Sequence, residues 1–167
     1  MKKIIITTIA LFGSLCCSAQ LNNLTDDELF DGIKFNTVSL GDIMVAAGDL
    51  TKMRSLFGNS IQERPNTTAP FLAKFLWNNH LSFGFEDETD TGNNYSLSYI
   101  DVYSNYVVVN VKGLSIKLWD DKSKFKDFLF NAKDSSYNFT DRDTGSVGLS
   151  FKISKYGKVS AIELICF

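Results

Sequence analysis

The residues that could do chemistry are few, and they form no familiar catalytic set. His80 is the sole histidine of the 167-residue chain, and no His-x-x-x-His, Cys-x-x-Cys or Gly-x-Ser-x-Gly pattern accompanies it. Neither a zinc site nor a Ser–His triad is therefore indicated. We predict no catalytic residue, no metal site and no cofactor, and we interpret His80 as a structural or surface side chain. An unrecognised hydrolase using His80 with scattered Asp and Ser residues stays open as an alternative.

A second reactive side chain, Cys166, lies beside the terminal Phe167 after the apolar segment 162–165. A free cysteine in such a strand usually behaves as a small buried hydrophobe. A Cys166–His80 dyad would require the two side chains to meet. We predict a buried thiol and leave the dyad as an alternative.

An acidic segment over residues 86–94 carries the densest set of oxygen ligands. It lacks the Asp-x-Asp-x-Asp-Gly spacing and the closing Glu of a calcium loop, and Asp141-x-Asp143-x-Gly145 is similarly incomplete. We interpret both segments as solvated hairpin tips. A calcium-binding or small-ligand envelope module is the alternative, with Asp87, Glu88, Asp90 and Asp143 as its ligands.

Aromatic residues dominate the chain after Pro70. Because side chains alternate between the two faces of a strand, Tyr95, Tyr99 and Tyr103 share one face of a predicted strand, and Leu97 and Asp101 share it too. Tyr and Trp make good binding anchors because they present a large area at low entropic cost. The alternative is that these rings cap the edge of the core. We predict a site for an unknown protein partner formed by Trp77, Asp87, Glu88, Asp90, Tyr95, Tyr99 and Tyr103.

The composition limits the class of protein. With 44% apolar residues, 22% charged residues and two prolines, one globular domain or two small fused repeats is expected. The net charge of -2 and the pI near 5.4 leave no basic excess for phosphates, so a nucleic-acid partner is not expected.

The first nineteen residues have the pattern of a secretory signal peptide. Lys2 and Lys3 precede an apolar run over residues 4–15, and small residues surround Ala19. The run is too short to span a membrane, which needs about 20 apolar residues, and no complete lipobox precedes Cys16 or Cys17. We predict cleavage after Ala19 and an exported protein, periplasmic or extracellular, with lipidation as the alternative. Only Cys166 would then remain, so no intrachain disulfide is expected.

Helix signals occur at three places. Thr25 and Glu28 form a capping-box pattern in a lead-in over residues 20–32. Extended chain is predicted from Ile33 to Leu40 and over 43–47, then a helix from the N-cap Asp49 to Gly58, and a loop over 60–70. Asp121 caps a second predicted helix, whose apolar face is Phe125, Phe128, Leu129 and Ala132.

Strand signals fill the rest of the chain, with two-residue alternation between turn residues. A shift of 72 residues also superimposes Asp49 on Asp121 and Leu56 on Phe128, which suggests an internal duplication. The predicted strands are 71–78, 80–87, 95–103, 106–112, 114–119, 137–140, 147–154 and 159–167.

The predicted fold class is α+β with two tandem repeats, 33–112 and 113–167, forming one compact unit. Each repeat is a helical segment followed by an antiparallel meander, and the helices pack on one face of a continuous sheet. The phrase from Gly48-Asp49 to Phe57-Gly58 resembles the repeat opener of the beta-lactamase inhibitor protein family, a tandem-repeat fold related to small bacterial envelope lipoproteins of outer-membrane assembly.

That resemblance implies a protein-binding role in which a hairpin of the first repeat, here residues 86–94, contacts the partner. Two departures limit what it implies. The single mature cysteine cannot supply the family's disulfide loops, and Phe130-Asn131 replaces the second Phe-Gly. Inhibition of a beta-lactamase therefore does not carry over, and we predict a non-enzymatic exported binding protein.

Overall fold

The computed structural model describes residues 22–64, 73–87, 89 and 91–167 and has an α+β architecture made mostly of strands. The predicted signal peptide, residues 1–19, lies outside this range. The described part contains three α-helices, all before residue 58. None of these helices has both the length and the apolar character needed to cross a membrane.

The first helix, α1 (Asp26–Phe30), begins as the sequence predicts. The Thr25 hydroxyl accepts the Glu28 amide at 3.3 Å, and a Glu28 carboxylate oxygen accepts the Thr25 amide at 3.0 Å. This reciprocal pair is the capping box. The same carboxylate lies 3.3 Å from Lys112 Nζ, and the amide of Thr25 together with Lys112 lowers the pKa of Glu28.

Two further helices follow in succession, α2 (Leu40–Ala46) and α3 (Leu50–Phe57). Asp49 accepts the amides of Thr51 and Lys52, which confirms the predicted N-cap of α3. The extended chain predicted from Leu40 onward is wrong. The Ser39 hydroxyl accepts the Asp42 amide at 3.1 Å and caps a helix there. Ser39 lies between the apolar residues Val38 and Leu40, so the sequence marks this cap less clearly than the one at Asp49.

Thirteen strands occur in the described residues, and they form two sheets. In the large sheet the order is β1–β11–β12–β13–β7–β6–β5–β4, with β10 also beside β11, and all pairs but β1–β11 are antiparallel. The small sheet has the order β3–β2–β8–β9. The strands are Asn23–Leu24 (β1), Lys34–Phe35 (β2), Val38–Ser39 (β3), Gln62–Arg64 (β4), Ala73–Trp77 (β5), Leu81–Asp87 (β6), Tyr95–Val102 (β7), Val109–Val111 (β8), Leu114–Ile116 (β9), Phe130–Asn131 (β10), Ser136–Asp141 (β11), Val147–Ile153 (β12) and Val159–Cys166 (β13).

The central strands β6, β7, β12 and β13 confirm the predicted ranges to within about one residue, because strict alternation marks them clearly. The loop predicted over 60–70 is wrong at β4, a short exposed edge strand that carries no apolar alternation. The first two residues of the predicted strand 71–78 lie outside the described range.

One face of the large sheet, called here the inner face, is the core. A single row of fully buried side chains crosses six neighbouring strands. Helix α3 packs on this face through Met53 and through Phe57, whose ring centroid lies 5.0 Å from that of Phe83. Burial of this row is the main stabilising term of the fold. The row consists of Leu76, Phe83, Ile100, Leu164, Leu149 and Phe139.

The helix predicted after Asp121 is wrong. Asp121 does accept the Ser123 amide at 2.9 Å, but only a 3-10 turn, Lys122–Phe125, follows. The Phe125 ring stacks on Tyr137 at 4.4 Å, and Phe130 pairs with Tyr137 as part of β10. Pairing with β11 draws the segment into extended chain, which overrides its helical pattern. Of the predicted apolar helix face, Leu129 and Ala132 are exposed.

The two predicted tandem repeats are therefore not shown. The first half carries α2 and α3 on the inner face of the sheet, whereas the second half places only the 3-10 turn there. The structure does show one continuous sheet through the β7–β13 pair, with α3 and the 3-10 turn on its inner face.

Candidate functional site

The opposite face of the large sheet, called here the outer face, carries most of the aromatic residues predicted to bind a partner. One row runs from Phe75 through Gly84 and Tyr99 to Ile165. The Tyr99 ring lies directly over Gly84, where an added Cβ would collide with it, and its centroid is 6.5 Å from that of Phe75. Glycine at this position lets the two rings form one apolar strip across three strands.

A second row on the outer face is more polar. It runs from Trp77 through Ser82 and Asp101 to Glu163. Tyr103, just beyond β7, donates its hydroxyl to Asp101 Oδ2 at 3.3 Å and lies 2.8 Å from Ser82 Oγ. Trp77 is 39% exposed and Tyr103 is 61% exposed. Both rings are thus accessible to a partner while hydrogen bonds fix the position of Tyr103.

The centre of this row holds two carboxylates side by side. Asp101 and Glu163 are directly opposite in the β7–β13 register, where like charges repel. Glu163 pairs with Lys152 at 2.8 Å, but among the described residues no lysine or arginine forms an ion pair with Asp101. Burial raises the pKa of Asp101, and the charge of Glu163 raises it further, against the opposing hydrogen bond from Tyr103.

Two open clefts flank the carboxylate pair. One, of about 410 Å³, is lined by Tyr99, Ser98 and Ile165. The other, of about 380 Å³, is lined by Tyr103 and by Trp119, whose side chain is 66% exposed. Asp101 and Glu163 line both. The pair therefore sits on a ridge between two aromatic depressions.

Tyr95 does not share this face, so the predicted parity of the tyrosines is wrong. The register of β6 and β7 shifts between Gly84 and Phe85, which leaves Ser98 as the extra residue of a β-bulge. The bulge puts Tyr95 and Leu97 with the core and Tyr99 with the outer face. Tyr95 is half-buried, with Lys74 Nζ 4.1 Å from its ring centroid.

Asp87, a predicted partner-binding residue, is buried and ties together its own hairpin. Its two carboxylate oxygens accept the amides of Thr89 at 2.9 Å and Gly92 at 2.6 Å, with the Thr89 hydroxyl and the Asn93 amide adding to them. The hydrogen bonds, those from Thr89 above all, lower the pKa of Asp87 to about 2. This carboxylate fixes the shape of the loop and is not presented to a partner or a cation.

The other acidic candidates are Glu88, Asp90 and Asp143. Glu88 and Asp90 lie outside the described residues. Asp141 closes the β11–β12 hairpin by accepting the Asp143 amide at 3.0 Å and the Thr144 hydroxyl. In the described part of the chain no three His, Cys, Asp or Glu side chains come together as they would around a metal ion.

His80 and Cys166 lie at opposite ends of the sheet. Measured along β7, His80 is level with Tyr103 and Cys166 lies beyond Tyr99, a separation of about 16 Å at the rise of a strand. The dyad is therefore excluded. Burial raises the pKa of the Cys166 thiol to about 11, which agrees with the predicted hydrophobic role. His80 packs edge-on against Tyr106 at 5.7 Å.

Two residues of the outer face, Glu163 and Ile165, are not among the residues that the sequence predicts; Trp119, which lines the cleft beside them, belongs to the aromatic set of the sequence but is not among the predicted binding residues. Glu163 is the one charge in the apolar run 162–165, and that isolated charge is the signal that could have found it. Its pairing with Asp101 depends on β7 and β13 being neighbours in the sheet. The residue pattern within one strand gives no information about which strand lies beside it.

Comparison of this chain with protein families, with curated proteins and with solved structures finds no match in any of the three.

Proposed function

We propose that this is an exported, non-enzymatic protein that binds another protein through the outer face of its large sheet. The observation that carries the proposal is the set of rings on the face opposite the packed core, with Trp77 and Tyr103 exposed and Tyr99 half-buried in the neighbouring row. An uncovered antiparallel face is ordinarily polar. Rigid aromatic side chains that do not pack in the core are instead typical of interface anchors.

The hairpin between β6 and β7 extends the proposed surface. Asp87 accepts the amides of Gly92 and Asn93, which holds these described residues of the hairpin against the end of β6. We assign Glu88 and Asp90, which lie near Asp87 in the sequence, to contact with the partner. Asp87 itself keeps its role in holding the hairpin.

We infer export from the signal-peptide pattern of residues 1–19. The proposed partner is therefore expected outside the cytoplasm. The chain after residue 19 has one cysteine, so its stability rests on the core alone. The buried row across six strands supplies that core without a disulfide.

Duplication of an ancestral half remains part of the proposal, on the basis of strand order. The order β4–β5–β6–β7 on one side of the sheet is mirrored by β10–β11–β12–β13 on the other, and the last strands of the two halves pair at the centre. A hairpin of the small sheet precedes each set of four strands, β2–β3 or β8–β9, which moves the proposed boundary between the halves from residue 113 to a position before β8. The helices of the second half would then have shrunk to the 3-10 turn.

The test is capture of the partner by the tagged full chain, expressed with its own leader, and identification by mass spectrometry. A Tyr99→Ala/Tyr103→Ala variant is expected to lose the partner. A Tyr106→Ala/Tyr156→Ala variant is the matched control, since both of those tyrosines are exposed and lie outside the strands that carry the two outer-face rows. Thermal melting of each variant checks that it is folded.

Because the Tyr99 ring covers Gly84, its removal is expected to lower the melting temperature. The single variants Tyr103→Ala and Trp77→Ala therefore decide the matter if the double variant is unstable. Capture that persists in both single variants would overturn the assignment of the outer face. A partner lost equally from the control variant would overturn it as well.

A further inference from the structure

The charge pattern of the outer face identifies the chemistry of its partner. We propose that the partner inserts an arginine side chain between Asp101 and Glu163, with the rings of Tyr103 and Trp119 beside its guanidinium. This inference rests on the proposed function, because it names the group recognised at the same surface.

The first argument is the uncompensated charge. Asp101 and Glu163 stand opposite each other on neighbouring strands, an arrangement that costs free energy in the isolated sheet. Lys152 forms its ion pair with Glu163, at 2.8 Å, and its half-exposed ammonium acts on Asp101 only at longer range. A cation from a partner would lie between the two carboxylates and be attracted by both. Their mutual repulsion in the isolated sheet would thereby be replaced by attraction to the cation in the complex.

The second argument is the aromatic walls of the cleft of about 380 Å³ beside the pair. Tyr103 and Trp119 both line it, and both are mostly exposed. Trp119 has a φ of 72°, which is rare for a bulky residue, and its amide donates to Val159 O at 2.9 Å. Two rings and two carboxylates at one cleft match a cation held by charge and by cation–π contact.

The third argument favours arginine over lysine. A guanidinium is planar and carries five donors, so one group can bond to two carboxylates while stacking on a ring. Lysine is a compact, strongly hydrated charge that does not stack in this way. Trp77 and Tyr99 lie on the same outer face, in the rows of β5 and β7, so we assign the arginine to a polypeptide that also contacts these rings.

The experiment uses the purified full chain and a defined probe, the acetylated methylamide of arginine, followed by NMR. The chain has two tryptophans, so Trp119 reports on the cleft and Trp77 serves as an internal control on the same face. The arginine probe is expected to shift the Trp119 indole resonance, and the citrulline analogue, which is neutral and of the same shape, is not. The lysine analogue is expected to bind more weakly than arginine.

Variants sharpen the test. Asp101→Asn and Glu163→Gln are each expected to weaken binding of the probe about tenfold, the loss of one charge-assisted hydrogen bond. Asp143→Asn, an exposed acid on the β11–β12 hairpin, is the matched control and is expected to change nothing. Lys152→Gln removes the competing ammonium and is expected to tighten binding by about two- to threefold.

Three results would overturn the inference: a Trp119 resonance that does not move, equal shifts with citrulline or lysine, or unchanged titrations of Asp101→Asn and Glu163→Gln. The failure is distinguishable from that of the proposed function. If the partner is captured through Tyr103 and Trp77 but the arginine probe does not bind, only the arginine inference fails. If the probe binds and no protein is captured, the proposed function fails and the cleft is a site for a small cation.

Discussion

The two faces of the large sheet are built from alternate residues of the same strands, yet they differ in kind. Along β12, Phe151 is buried on the inner face, while its neighbour Ser150 lies on the outer face. Along β13 the same alternation separates buried Leu164 from Glu163 and from Ile165, which is 42% exposed. Burial of the inner face stabilises the fold, whereas the outer face keeps exposed side chains.

The outer face is itself divided into two regions. Its β11–β12 part presents small polar residues such as Asn138, Thr140 and Ser150, as expected of an antiparallel face in water. Its β5–β7 part presents Phe75, Trp77 and Tyr99. Both halves belong to one continuous sheet, so the strand architecture itself does not require aromatic side chains on its outer face. This contrast places the proposed binding surface on one half of the face.

The largest expected effect is the difference between adjacent residues of β12. Phe151→Ala removes a fully buried ring that contacts Phe125 and Phe139 and is expected to cost about 3–5 kcal/mol of unfolding free energy. Ser150→Ala is its matched control on the outer face and is expected to change stability by less than about 0.5 kcal/mol. Urea denaturation of both variants measures the contrast, and similar losses would contradict the assignment of the two faces.

A smaller effect is expected at Asp87, where the inner face ends in the hairpin. The folded-state pKa of about 2 lies below the usual value of 3.8, so this carboxylate stabilises the fold above the unfolded pKa. The stabilisation is lost as the pH falls from about 4 to about 2. Asp87→Asn is expected to lower the melting temperature at neutral pH and to flatten this part of the acid dependence. Asp143→Asn, on the other hairpin, is the control, and an equal effect there would contradict the role of Asp87.

Much of the inner face can be predicted from the sequence because its signals are local. Caps at Thr25 and Asp49 depend on residues two or three positions away, and alternation along β6, β7, β12 and β13 is read within one strand. The sequence predicts the Asp121 cap equally well, but no α-helix follows it because Phe130 pairs with Tyr137 in extended chain. Local propensity is a weak prior where tertiary pairing competes.

The sequence predicts the outer face only in part, because two of its features depend on pairing between strands. Tyr99, Tyr103 and Trp77 were identified from their type, but one inserted residue, Ser98, moved Tyr95 to the other face. A bulge changes the parity of every residue beyond it, and no local signal marks it here. The Asp101–Glu163 pair required knowledge that β7 and β13 are neighbours, which only the assembled sheet provides.

The smallest expected effect concerns the carboxylate pair and has the opposite sign. Because the folded-state pKa of Asp101 is raised by burial and by Glu163, its ionised form destabilises the fold at pH values above the unfolded pKa. Asp101→Asn keeps an acceptor for the Tyr103 hydroxyl and is expected to stabilise the protein by about 0.5 kcal/mol at neutral pH. The gain should vanish as the pH falls below about 4, where Asp101 is protonated in both states.

Glu163→Gln provides the comparison for that gain, since it removes the same repulsion but also breaks the ion pair with Lys152. Its net stabilisation is therefore expected to be smaller than that of Asp101→Asn, and thermal melting at neutral and acidic pH measures both. A loss of stability in Asp101→Asn at neutral pH would mean that the carboxylate is held by the fold rather than kept for a partner. A gain in stability together with weaker binding of the arginine probe would instead show that Asp101 lowers the unfolding free energy of the free protein but contributes to binding.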